Sequence, residues 1–173
     1  MKRVLIVVAQ KEFHDSEYEE SREYFDEIGF DVFVASEREG EAIGIFGKMI
    51  HADLSFHNVI VHDYDAFIFI GGHGVIELWH NFALIHLVRD ASKQNKILAA
   101  ISIAPVILAV AGVLKDKKAT SIEEGFNRLV EGGAILAEGN VVVDDNIITA
   151  NSSSAVDEFC KKIIEVIHYE KIF

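Results

Sequence analysis

The first strand-like segment, Val4-Leu5-Ile6-Val7-Val8-Ala9, is apolar at every position. A strand with one solvated face alternates apolar and polar side chains; one that is apolar throughout must be covered on both faces, as in a parallel sheet flanked by helices. The rest of the chain supplies the alternation such a sheet requires. Residues 15–28 are charged, with Tyr18, Phe25 and Ile28 at helical spacing before Gly29, a C-cap signal. Strands are expected at 30–35, 65–70 and 96–101, and a single helix at 75–93 with Ile76, Leu78, Trp79, Phe82, Leu84, Ile85 and Leu87 packed on the sheet. Pro105 marks the start of a helix that Gly112 closes, because proline is tolerated in the first helical turn. A short helix near 122–131 and strands at 134–137, 141–143 and 147–150 follow. The last helix, about 153–169, turns Val156, Phe159, Cys160, Ile163, Ile164 and Ile167 inward. The expected class is α/β with a mostly parallel sheet, and ligands in such sheets bind at the carboxyl ends of the strands.

Composition narrows the function classes. At 173 residues, with no repeat or linker-like tract, the chain is expected to form one domain, 1–173. Half the residues are apolar and the mean hydropathy is +0.24, which excludes a disordered chain, and no apolar run approaches the ~18 residues a membrane span requires. With 16 Lys and Arg against 28 Asp and Glu, the net charge is −12, the wrong sign for nucleic acid or anionic lipid. The N-terminal apolar run is short and lacks a small-residue cleavage site, so it reads as a strand and not as a signal peptide, and the expected location is the cytoplasm. The one cysteine, Cys160, excludes an intrachain disulfide and a paired-cysteine zinc site. Its place on the apolar face of the last helix makes it a small buried hydrophobe. His51, His57, His62, His80, His86 and His168 show no ligand spacing within one element, so neither metal nor cofactor is expected.

Two strand-to-helix junctions, 71–74 and 101–105, are the candidate sites. A small-residue turn there aims backbone N–H groups and the positive end of a helix dipole at one point, which suits an anion or oxyanion. Gly71, Gly72 and Gly74 allow close approach by a ligand, although Gly-Gly after a strand also serves as a plain tight turn. Neither a phosphate-binding loop nor a dinucleotide fingerprint is present. Ser102 stands where a nucleophile elbow would present its side chain, but Ile101 and Ile103 replace the flanking glycines of G-x-S-x-G. Ser102 could equally cap a helix that begins at Ile103 or Ala104. The acidic run Glu17, Glu19, Glu20, Glu23, Asp26 and Glu27 reads as a solvated helix face.

Taken together, Lys2 to Val8, Glu12-Phe13-x-Asp15-x-Glu17, Phe30-Asp31-Val32 with Ala35-Ser36, Asp53-Leu54-x-Phe56, Asp65-Ala66 to Gly71-Gly72, Ala104-Pro105-x-Ile107-Leu108 with Ala111-Gly112-Val113-Leu114, Thr120-Ser121 and Val141 to Asp144 resemble the DJ-1/PfpI superfamily over essentially the whole chain. The resemblance implies a flavodoxin-like three-layer α/β/α sandwich and a homodimer or higher homo-oligomer. It also implies peptidase, glyoxalase or deglycase, or stress-related holdase activity. Glu17 matches the family's acid near the nucleophile, and Gly72 its oxyanion-hole glycine. Gly71-Gly72-His73-Gly74 looks like the glyoxalase/holdase branch. The nucleophile position falls on Ser102, where the family has cysteine. Ile103 follows, where many members have histidine, and Ala104 replaces the elbow glycine.

Those differences fall at the chemical centre. A helix N-terminus contributes up to about 2 kcal/mol, roughly 1.5 pKa units, enough to ionise much of a thiol at neutral pH and negligible for an aliphatic hydroxyl. Serine therefore needs a general base within hydrogen-bond reach, and Ile103 supplies none. Glu17 is one candidate, His14 and His73 are others, and Glu17 could instead hold Ser102 as a static acceptor. Two readings follow. The first is a retained pocket for a small-molecule or peptide ligand with weak or no catalysis. The second is a hydrolase with Ser102 as nucleophile and the Gly72 and Ile103 N–H groups as oxyanion hole.

Overall fold

The computed structural model describes residues 1–169; residues 170–173 of the expected domain lie outside the described residues. The chain begins with β1 (Arg3–Val7), a short β2 (Lys11–Phe13) and α1 (Asp15–Glu27), then runs through β3 (Asp31–Ser36), β4 (Gly40–Gly44), β5 (Met49–Ala52) and β6 (Leu54–Ser55). Next come β7 (Ala66–Phe69), α2 (Gly74–Leu78), α3 (Phe82–Lys93), β8 (Ile97–Ile101), α4 (Pro105–Val110) and β9 (Lys118–Ala119). The chain continues through α5 (Phe126–Glu131), β10 (Ile135–Leu136), β11 (Val141–Asp144), β12 (Ile147–Ala150) and α6 (Val156–Tyr169).

The central sheet has seven strands in the order β11-β12-β8-β7-β1-β3-β6, all parallel except the β11–β12 pair. The continuous apolar strands sit in its middle, and successive side chains enter opposite cores. Leu5, Val7, Phe67, Phe69, Leu98 and Ala100 pack with Leu84, Leu87, Val88 and Ile107 of α3 and α4. Val4, Ile6, Ile68, Ile97, Ala99 and Ile101 pack with Tyr18, Phe25, Phe159, Ile163 and Ile167 of α1 and α6. This is the expected three-layer α/β/α sandwich. β1 is followed in sequence by β3 on one side and pairs with β7 on the other, so the strand order reverses at the β1–β7 boundary, where α/β sheets open a crevice.

Several expectations need correction. The helix expected over 75–93 is two helices, because Asn81 starts a new one, its side-chain oxygen accepting from Leu84 N–H at 3.0 Å. Phe82, at the first turn of α3, is 87% exposed and not packed on the sheet, and Ile76 is also exposed. The strand expected at 134–137 shrinks to Ile135–Leu136, which pairs with β9 outside the central sheet. The expected helix at 122–131 opens with a 3-10 turn and becomes α-helical only from Phe126. The segment between β3 and β7 holds an unforeseen excursion, in which β4 and β5 form an antiparallel hairpin and β4 also pairs in parallel with β2.

Candidate active site at the carboxyl ends of the central strands

The sequence from Ile101 to Pro105 turns from β8 into α4 through Ser102, which sits at φ +60°. That left-handed conformation costs a non-glycine residue about 1–2 kcal/mol and persists only where the surroundings impose it. Here they do: Ser102 N–H donates to the Ala150 carbonyl and the Ser102 carbonyl accepts from Ile122 N–H, both at 3.0 Å. Ser102 therefore does not cap the helix. Ala104 occupies the N-cap without a side-chain bond and Pro105 follows in the first turn, while the serine hydroxyl is aimed elsewhere.

Its partner is Glu17. The Ser102 hydroxyl donates to Glu17 Oε1, and Gly71 N–H donates to Glu17 Oε2 at 2.8 Å. Glu17 is fully buried, in the first turn of α1. Burial pushes its carboxyl above the ordinary glutamate range, against the opposing pull of the Ser102 hydroxyl and Gly71 N–H. His14 caps the same helix: its ring accepts from Glu17 N–H, and its backbone N–H donates to the Gly71 carbonyl at 2.9 Å. Helix start, glycine turn and elbow are thus tied into one unit.

The glycine turn does more than reverse the chain. A Cβ on Gly71 would stand 2.9 Å from both Glu17 Oε2 and the Ser102 Cβ. Gly72, at φ +114°, lies so close to the 12–14 backbone that a Cβ there would come within 2.8 Å of Phe13 C. The glycines let the chain pass between β2 and the elbow. Neither Gly72 N–H nor Ile103 N–H has an acceptor among the described residues, so both remain free as donors.

Both donors open on a cleft of about 440 Å³. Its polar lining is His14, Glu17, His73, Ser102, Glu124, Ser152 and Ser153; its apolar wall is Ile45, Ile76, Trp79, Ile103 and Ile122. Ser102, Glu17, Gly72, Ile103, His14 and His73 line this cleft and Gly71 binds Glu17 behind it, whereas Gly74 lies buried against the Lys11 backbone and takes no part. His73 is exposed and makes no hydrogen bond to Ser102 among the described residues. Trp79 packs against the core as expected and also lines the cleft, with Arg128 stacked on its ring, 4.8 Å from guanidinium carbon to centroid. No group of three or more His, Cys, Asp or Glu that could hold a metal ion occurs among the described residues. Cys160 is buried behind α1, its thiol pushed up to about 12 by burial.

Sequence reasoning missed the outer wall. Ser152 and Ser153 follow β12, and the rule that ligands sit beyond strand carboxyl ends would have pointed to them. Ile45 comes from the unforeseen hairpin and carried no signal.

The comparisons agree with this geometry. A model of the DJ-1/PfpI family matches residues 2–166. An uncharacterised protein of Methanocaldococcus jannaschii is 39% identical over 95% of this chain and 82% of its own length. A Pyrococcus horikoshii protein named as a deglycase is 27% identical over 95% of this chain and 99% of its own. The crystal structure of a ThiJ/PfpI domain protein from Brachyspira murdochii superposes with a TM-score of 0.94 at 32% identity, covering 96% of each chain. With the fold, the residue span and the neighbours in accord, the chain belongs to the DJ-1/PfpI family.

Proposed function

We propose that this protein is a ligand-binding member of the family, with a small molecule or peptide as ligand, that keeps the elbow and the donor-lined cleft and turns its ligand over slowly or not at all. The observation that carries this reading is the Ser102 hydroxyl, standing where the sequence resemblance puts a cysteine and committed to the buried Glu17. A thiol at this elbow would be activated by the local field; a hydroxyl must hand its proton to a base as it attacks. Glu17 is its one side-chain partner among the described residues, and Gly71 N–H already holds the other carboxyl oxygen. Among the described residues no imidazole bridges Glu17 and Ser102, so one buried carboxyl would have to take the nucleophile's proton and return it to the leaving group. Relatives named as deglycases fit a cleft that receives such a ligand.

The test is turnover of peptide and small α-oxoaldehyde substrates by purified protein. The expected result is little or no turnover, unchanged by Ser102→Ala; robust turnover abolished by Ser102→Ala overturns the reading. That second outcome would establish a hydrolase with Ser102 as nucleophile, Gly72 and Ile103 N–H groups as oxyanion hole and Glu17 as base. The observation favouring this alternative is the Ser102–Glu17 hydrogen bond, which puts an acceptor directly on the proton to be removed. A companion variant, Ser102→Cys, should be alkylated at neutral pH faster than an ordinary thiol, against a silent background from the buried Cys160. On this reading the protein works in the cytoplasm as a homodimer or larger homo-oligomer, and sedimentation as a monomer would remove that part.

A further inference from the structure

The geometry points to His14 as a ligand-recognition residue whose ring Nε2–H donates to the carbonyl oxygen of an uncharged ligand with an apolar substituent. This deepens the reading of the cleft as a binding site and rests on it. His14 Nδ1 accepts from Glu17 N–H at 3.5 Å and lies 3.3 Å from the Ser16 hydroxyl, which can donate to a nitrogen so placed. A neutral imidazole has one donor and one acceptor nitrogen. With Nδ1 used as the helix cap, the ring proton sits on Nε2, and a ring so arranged offers a donor and not a base. The Phe46 ring packs edge-on against the imidazole, centroids 6.3 Å apart, and helps fix its plane.

The rest of the cleft agrees on ligand class. Its free donors are the Gly72 and Ile103 N–H groups, and its wall holds Trp79, whose indole Nε1–H is buried with no partner among the described residues. Among the described residues no lysine or arginine lines the cleft; Arg128 lies on the Trp79 ring and is not part of the lining. Glu124 stands at the cleft and the whole chain carries a net charge of −12, so a carboxylate or phosphate would enter without a counter-charge. Several hydrogen-bond donors, no cation and a wall of isoleucines suit a neutral carbonyl compound with a hydrocarbon arm.

The test uses the full chain and the inert probe 3-phenylpropanamide, with 3-phenylpropanoate as its charged counterpart. In the ligand-free protein, ring-nitrogen NMR should show His14 unprotonated at Nδ1 and protonated at Nε2, and the amide should shift the Nε2 signal. His14→Asn keeps a good N-cap acceptor, so its melting temperature should match wild type while its affinity for the amide falls about three- to tenfold, the worth of one hydrogen bond. The propanoate should bind at least several-fold more weakly than the amide. An Nδ1–H tautomer, undiminished amide binding by His14→Asn, equal or tighter propanoate binding, or no amide binding by wild type overturns the inference. None of these readouts measures turnover, so the inference can fail while the low-turnover reading stands, and the reverse.

Discussion

Asp15 and Glu17 are two carboxylates in the first turn of α1, two residues apart and therefore on different sides of the helix. Asp15 reaches the β4–β5 hairpin, where Oδ2 accepts from Phe46 N–H at 2.9 Å and Oδ1 from Lys48 N–H at 2.8 Å. Glu17 reaches the elbow and the glycine turn. Their acidities diverge. For Asp15, the upward push of burial is outweighed by the Phe46 and Lys48 N–H groups, which hold it below the ordinary aspartate value. For Glu17, complete burial wins over a comparable set of partners and raises it. The pair shows that two N–H donors suffice to hold a carboxylate ionised at the edge of the protein, while deeper burial overrides similar partners.

The largest expected effect is that of Glu17→Ala. It leaves a cavity and strands the Gly71 N–H and Ser102 hydroxyl without acceptors, and should cost about 3 kcal/mol or more in urea unfolding. A loss under about 1 kcal/mol would mean that Glu17 is not a structural centre of the site. Asp15→Ala comes next, at about 2 kcal/mol, because its partners sit in a surface loop where water can replace the carboxylate. That loop carries Ile45 of the cleft wall and Phe46 against His14, so the variant should also weaken ligand binding. Unchanged binding would show that the hairpin keeps its place without the Asp15 tie, and would separate the two carboxylates more sharply than proposed.

The same contrast explains what could be read from the sequence. Strands β1, β7 and β8 were legible because a strand buried on both faces leaves an unbroken apolar signature, and Pro105 and Gly29 bracket their helices by backbone geometry alone. The β4–β5 hairpin was not, since Gly40–Gly44 and Met49–Ala52 are short and show no clean alternation. Asn81 could have revealed the break between α2 and α3, but the surrounding apolar residues masked its capping signal. At the site, the two strand-to-helix junctions were visible locally. The Glu17–Ser102 pairing was not, because 85 residues separate the partners and only the fold joins them. Glu17 stood out from its acidic neighbours through family resemblance; by itself it looked like one more solvated acid on a charged helix.

The smallest expected effect is the one most specific to the comparison, the dependence of stability on pH. Glu17 is raised above its ordinary value of 4.5, so the folded protein holds this proton more tightly than the unfolded chain. Its contribution is complete below 4.5 and is lost as pH rises through the folded value. Asp15, held below its ordinary 3.8, works in the opposite sense: its contribution is present above 3.8 and is lost as pH falls through the folded value. Glu17→Gln, which keeps the shape and one acceptor oxygen, should cost about 1 kcal/mol and flatten the decline on the alkaline side of 4.5. Asp15→Asn should leave that decline in place and blunt the acid limb, with Asp65, also held low by Lys2 and the Arg3 N–H, sustaining the rest of it. Urea midpoints measured across this range decide the matter. Parallel curves for wild type and Glu17→Gln above 4.5 would show that Glu17 titrates alike in the folded and unfolded chains, and the distinction between the two carboxylates would then be one of position only.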